Sequence, residues 1–238
     1  MRALRIVVII GVVLGAVFAG VDRWAAGYVE NQLADKIQAR QGLAGSSEVE
    51  IHGFPFLTQA FSHELDQVDL KLRGVEVVAE GRKTRLSELD ASFRSVKLNG
   101  DYSGGTAERA EGTGRITYED LTAASQTGAT LTYGGAPGKV KVTAAVDVLG
   151  KTVTHSVVST ISLVDAPDGK GAKLVRVHAD EVPGSGIPGV EKLIRKKTDF
   201  ERNLEVGMPA GLHLSALTSD ETGVHLTLGG SNVVMAGS

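Results

Sequence analysis

Apolar residues change their spacing twice before residue 60. From Ile6 to Val21 the chain is an uncharged run of sixteen residues with no polar face. At about 1.5 Å per residue it spans roughly 24 Å, short of the roughly 30 Å hydrocarbon core of a bilayer. The run therefore falls between a signal peptide and a short membrane anchor, and Val17 and Ala19 are small enough for the −3 and −1 positions of a cleavage site. Arg2 and Arg5 precede it; positive charge held inside leaves the remaining chain exported. From Arg23 to Gln41 the spacing becomes helical. Val29, Leu33 and Ile37 recur every four residues, opposite Glu30, Asp35, Lys36 and Arg40, and Gly42 offers a Schellman-type stop. Trp24 and Tyr28 suit a membrane interface if the anchor is retained, or the packing face of the helix if it is not.

From Glu48 the period is two. Val49 and Ile51 alternate with Glu48, Glu50 and His52 and lead into Gly53-Phe54-Pro55-Phe56-Leu57. Gly53 permits a turn, and Pro55 fixes its own φ while pushing Phe54 toward extended backbone. This stiff apolar corner either plugs a core or lines a place where an apolar ligand binds. In the next strand Val68, Leu70 and Leu72 alternate with polar residues until Gly74, where the phase slips and Val75 and Val77 carry the apolar face. The following strand slips likewise, from Leu89, Ala91 and Phe93 to Val96 and Leu98 across Arg94 and Ser95. Such slips mark bulges, and two bent neighbours predict a strongly curved sheet.

Gly104 to Gly114 is glycine-rich and charged and reads as a loop or a weak edge strand. Thr117, with Asp120 three residues on, opens a helix that Gly128 stops. Val140, Val142, Ala144, Val146 and Val148, then Val153, His155, Val157, Ile161 and Leu163, then Val175, Val177 and Ala179 form an antiparallel meander with one apolar face. Pro188 opens a second helix, with Lys192, Arg195, Lys196 and Lys197 opposite Val190, Leu193 and Ile194. A closing hairpin pairs Leu212, Leu214 and Ala216 with Val224, Leu226 and Leu228, and a short strand at Val233 to Met235 follows. No linker divides residues 22–238, which read as one domain behind the segment 1–21.

Composition narrows the chemistry. Apolar residues make up 42% of the chain and aromatics 5%, so the interior is aliphatic. There is no cysteine, which excludes disulfides, thiolate metal sites, a cysteine nucleophile and a lipidated cysteine. Cleavage after Ala19 takes Arg2 and Arg5 from the 25 basic residues, leaving 23 against 28 acidic ones and a formal charge of −5. That balance speaks against nucleic acid as a partner. A G-x-G-x-x-G occurs at 184–189, but an antiparallel meander precedes it where a dinucleotide site needs a βαβ unit. The turn reads as a strand-to-helix connection whose amides could meet a lipid phosphate. The six histidines are scattered, with His155 alone on an apolar strand face as a core histidine. No H-E-x-x-H or G-x-S-x-G is present, so no metal, cofactor or catalytic set is expected. Basic clusters at Arg82, Lys83 and Arg85 and at Lys192, Arg195, Lys196 and Lys197 either attract anionic head groups, at about 1 kcal/mol per residue, or simply keep turns soluble.

The run Val49 to Gln59, with the helix before it and the Asp66 to Leu72 strand after it, resembles the LmeA-like phospholipid-binding family of actinobacterial cell-envelope proteins. Ile116 to Leu121 and Met208 to Leu212 support the likeness; at the latter, Met-Pro-Ala-Gly stands where the family more often has Leu-Pro and a bulky residue. The resemblance implies an α+β fold in which an elongated, strongly curved antiparallel sheet wraps around a helix, as in tubular lipid-binding proteins. It also implies binding of phospholipid, of phosphoinositide type, at the membrane surface of the envelope or periplasmic side. On this reading the protein is a non-enzymatic carrier or sensor. Phe54, Phe56, Leu57 and Phe61 line or gate its apolar side, and Lys192, Arg195 and Lys196 meet a phosphate. Two other readings stay open: an envelope structural or interaction protein without a ligand, and a lipid or glycan hydrolase with a dispersed site.

Overall fold

The structure, a computed structural model, describes residues 2–41, 45–79, 82–124, 128–148, 151–166, 173–181, 191, 195, 199–203 and 208–235. A long helix α1 (Arg2–Gln41) precedes β1 (Ser46–His52) and the short helix α2 (Phe56–Ser62). Strands β2 (Glu64–Ala79), β3 (Arg82–Leu98) and β4 (Gly105–Ile116) lead to α3 (Tyr118–Ala124). Then come β5 (Thr130–Tyr133), β6 (Lys139–Val148), β7 (Lys151–Asp165), β8 (Lys173–Ala179) and β9 (Phe200–Asn203), followed by β10 (Leu212–Asp220) and β11 (Gly223–Met235). The strands form two open antiparallel sheets, ordered β1-β2-β3-β4-β11-β10 and β5-β6-β7-β8-β9. The α+β class and the apolar N-terminal helix match the sequence reading, and β6, β7 and β8 are the expected meander. Gly42, the basic cluster member Lys197 and the glycine motif at 184–189 lie outside the described residues.

The six-stranded sheet carries a line of extra residues across four of its strands, β2, β3, β4 and β11. Between β2 and β3 the ladder steps from Leu65↔Val96 to Gln67↔Arg94. Between β3 and β4 it steps from Val96↔Ala107 to Arg94↔Arg109, and between β11 and β4 from Val233↔Ala107 to Ser231↔Arg109. Asp66, Ser95, Glu108 and Asn232 thus fall on one line, with Ser95 and Asn232 at left-handed φ values of 51° and 52°. Each strand changes phase at the same place, so apolar side chains on both sides of the line stay on one face. Leu65, Phe93, Val96, Ala107, Ala110 and Val233 share one buried cluster for that reason. Gly74, at φ 66°, performs the same step further along β2, and both Leu72 and Val75 are buried. The slips read at Gly74 and across Arg94 and Ser95 are therefore real, and they are coordinated between neighbours.

The stretch Gly104 to Gly114, expected as a loop or weak edge strand, falls from Gly105 onward in β4, a central strand with β3 on one side and β11 on the other. The apolar face of β4 is built from Ala107, Ala110, Gly112 and Gly114. Side chains this small leave no hydrophobic alternation to read, and pairing on both sides holds the strand in place.

Three core clusters line the apolar faces. One lies beneath α1 and α2. A second joins Leu86 and Ile116 to Leu214, Leu226 and Leu228, and Val175 of the other sheet enters it. The third joins the meander to Val224. The two sheets thus meet through their apolar faces at the β10–β11 side. At the other side α1 lies along the edge strand β1. Glu30 Oε1 accepts the Ile51 amide at 2.7 Å, and the Ser47 hydroxyl donates to the Ala34 carbonyl at 2.8 Å. A helix laid there protects an edge that would otherwise invite another strand.

Candidate functional site

The corner after β1 is held by a carboxylate from α1. Asp22 is completely buried, and its oxygens accept the amides of Phe56 at 2.9 Å and Leu57 at 2.7 Å. These are first-turn amides of α2, which have no partner within a helix. Pro55 in the cap position makes no side-chain bond to them. The cap therefore comes from 34 residues upstream. Arg23 completes the joint: its guanidinium reaches Asp22 at 3.1 Å, donates to the Gly53 carbonyl at 2.7 Å, and sits 5.7 Å from the centre of the Phe54 ring. Gly53 is required here, because φ is +104° and a Cβ would fall 2.2 Å from the Gln59 amide and 2.5 Å from the Asp66 carboxylate. At the far end of α2, His63 takes the left-handed cap conformation and its ring stacks on Tyr102, whose hydroxyl donates to the Ala60 carbonyl.

The four apolar residues singled out in the sequence divide into two pairs. Phe56 is buried with Leu65, Phe93 and Val233, and Leu57 packs half-buried against the same cluster. Phe54 and Phe61 face outward, 61% and 86% exposed. Arg195 belongs to neither pair. It sits by the end of β8 in the other sheet, donating to Glu191 at 2.9 Å, to Asp199 at 3.4 Å and to the Ala179 carbonyl at 3.1 Å. Lys192 and Lys196 lie outside the described residues. Sequence reasoning missed Asp22, whose only signal is a lone acid where the apolar run ends.

The two faces of the six-stranded sheet differ in chemistry. On the apolar face the small residues Ala91, Ala110, Gly112 and Gly114 lie between Leu70 and Phe93 on one side and Leu226 and Leu228 on the other. Leu70, Ala91 and Gly112, which share one register row, stay partly exposed. The polar face opens a shallow concavity of about 620 Å³ bordered by Asp69, Lys71, Asp90, Ser92, Glu111 and Thr113. At its β1 side the ligand atoms of Glu50, His52 and Asp69 lie within 4.8 Å of one another. That set could approach a cation, but its members already pair internally, His52 with Asp69 at 2.8 Å, and Lys71 meets Glu50 at 3.3 Å.

Burial pushes the Asp69 carboxyl up, and hydrogen bonds from Gln67 and His52 outweigh it, leaving Asp69 below the ordinary 3.8. Asp220, in the β10–β11 turn, is held lower still by the Thr222 hydroxyl, His225 and the Thr222 amide. Both groups have folded values below their unfolded ones. The stability they contribute is complete above the unfolded value and is lost as the pH falls through the folded one. We expect the urea midpoint to fall on acidification from about pH 5 to about pH 2, with Asp220→Asn flattening that fall. An unchanged acid slope in the variant would refute the assignment.

A family model described as LmeA-like phospholipid-binding matches residues 20–229. No curated protein and no solved structure matches the chain.

Proposed function

Because the chain belongs to the LmeA-like phospholipid-binding family, we propose that it is an exported, non-enzymatic carrier or sensor of phospholipid that shields acyl chains along the apolar face of the six-stranded sheet. The observation supporting this is the strip of small residues there, Ala91, Ala110, Gly112 and Gly114, bordered by Leu70, Phe93, Leu226 and Leu228. A residue at left-handed φ turns a strand out of its extended course, as Ser95, Asn232 and Gly74 do. The line through Ser95 and the step at Gly74 would thus curve this face about a fatty tail, as in a tube. Each methylene taken from water contributes about 0.8 kcal/mol. Phe56 and Leu57 close the α2 end. The head group, of phosphoinositide type, would be met by Lys192, Lys196 and Arg195, where its phosphate competes with Glu191 and Asp199 for the guanidinium.

Mass spectrometry of the organic extract of natively expressed protein tests this reading. We expect near-stoichiometric phospholipid in the native protein and its loss from Ala91→Phe, whose ring would fill the strip, with the circular dichroism of the variant unchanged. A lipid-free extract of the native protein sinks the proposal and favours an envelope structural role.

A further inference from the structure

We propose that the exposed aromatic side chains around the corner form a foot that inserts into the interfacial layer of a lipid bilayer. Among the described residues, the aromatic side chains found exposed are Phe18, Trp24, Tyr28, Phe54, Phe61 and Tyr102. Each lies on α1, on the corner and α2, or on the loop that Tyr102 ties to α2. Phe56, at the corner but turned inward, and Phe93 are buried, and Tyr118 and Tyr133 are half-buried.

The geometry explains why one end collects them. Helix α1 is exposed and apolar through Ile9, Val13, Val17 and Val21, and its first fully buried side chains are Asp22 and Ala26. Asp22 is also the residue that caps α2. The point where the apolar run leaves the protein is therefore the point where the corner is attached. On α2 the inward positions are Phe56, Leu57 and Ala60, while Thr58 and Phe61 face out. Phe54 is kept outward beneath the Arg23 guanidinium. Trp24 and Tyr28 stack on the exposed side of α1 with ring centres 6.0 Å apart. Aromatic rings beside an apolar span are the chemistry of the bilayer interface, where an apolar body meets lipid and a polar edge meets water. Continuity with the apolar run selects a bilayer as the occupant, in preference to a second copy or a protein partner. The inference does not depend on where a lipid tail lies along the sheet.

Trp24 is the chain's only tryptophan, so fluorescence reads one position at a time. The full chain carrying Trp24→Phe and Phe61→Trp is reconstituted into phosphatidylcholine vesicles with and without bromine at acyl carbons near the interface. We expect the new tryptophan to be quenched by the brominated lipid and protected from aqueous iodide. A control with Tyr133→Trp in the same background, on β5, should show the opposite. Position 61 is 86% exposed, so the substitution leaves the fold intact, which circular dichroism verifies. Iodide quenching at position 61 without bromolipid quenching overturns the proposal. So does protection from both quenchers, which would assign the patch to a protein surface.

Discussion

Replacing Asp22 with alanine lowers the thermal midpoint by roughly 10 °C, the largest effect expected of any polar substitution in the described part of the chain. The side chain is fully buried and faces two amide donors and a guanidinium. Its removal leaves the Phe56 and Leu57 amides without an acceptor in a place that water does not reach, and the start of α2 frays. Hydrogen exchange locates the damage: protection at Phe56 and Leu57 is lost first, ahead of the meander. Asp22→Asn keeps one acceptor oxygen but brings its own donors toward the two amides, so it falls between alanine and the native residue. A midpoint within 2 °C of the native protein for Asp22→Ala would show that the α1–α2 joint contributes little.

Truncation of Phe56 to alanine destabilises by about 3–5 kcal/mol, since its ring fills space among Leu65, Phe93, Val96 and Val233. Phe61→Ala, one helical turn later on the outer side, stays within about 0.5 kcal/mol. Denaturant unfolding of the two variants side by side decides the matter; equal losses would refute the division of the corner into an inner and an outer pair. The contrast governs how lipid binding is tested. Phe56→Asp places an unpaired carboxylate in that core, so loss of lipid from such a protein would report unfolding and say nothing about the ligand.

Periodicity revealed those elements whose apolar side chains are large. The meander of Val140 to Ala179 and the closing hairpin were legible because valine and leucine alternate with polar residues. The steps at Gly74 and Ser95 were legible one strand at a time. Their alignment across β2, β3, β4 and β11 was not, because register is a property of pairs. Strand β4 was hidden by the smallness of Ala107, Ala110, Gly112 and Gly114. Helix α2 was hidden by length and by a cap supplied from another element. The apolar corner from Gly53 to Leu57 lies at the junction of β1 and α2. Which of its rings turn inward depends on Asp22 and Arg23, far upstream. The apolar run and the amphipathic stretch after Asp22 form one continuous helix, because nothing there breaks a helix and the carboxylate that would be unwelcome in an apolar run has partners waiting.

The shared step at Asp66, Ser95, Glu108 and Asn232 also limits how this sequence can drift. Losing one codon at Ser95 alone would turn Val96 and Leu98 to the wrong side of the sheet while their neighbours kept theirs. A relative that shortened one of these strands would have to shorten all four together, so length changes in the family should accumulate at the hairpin tips and spare this row.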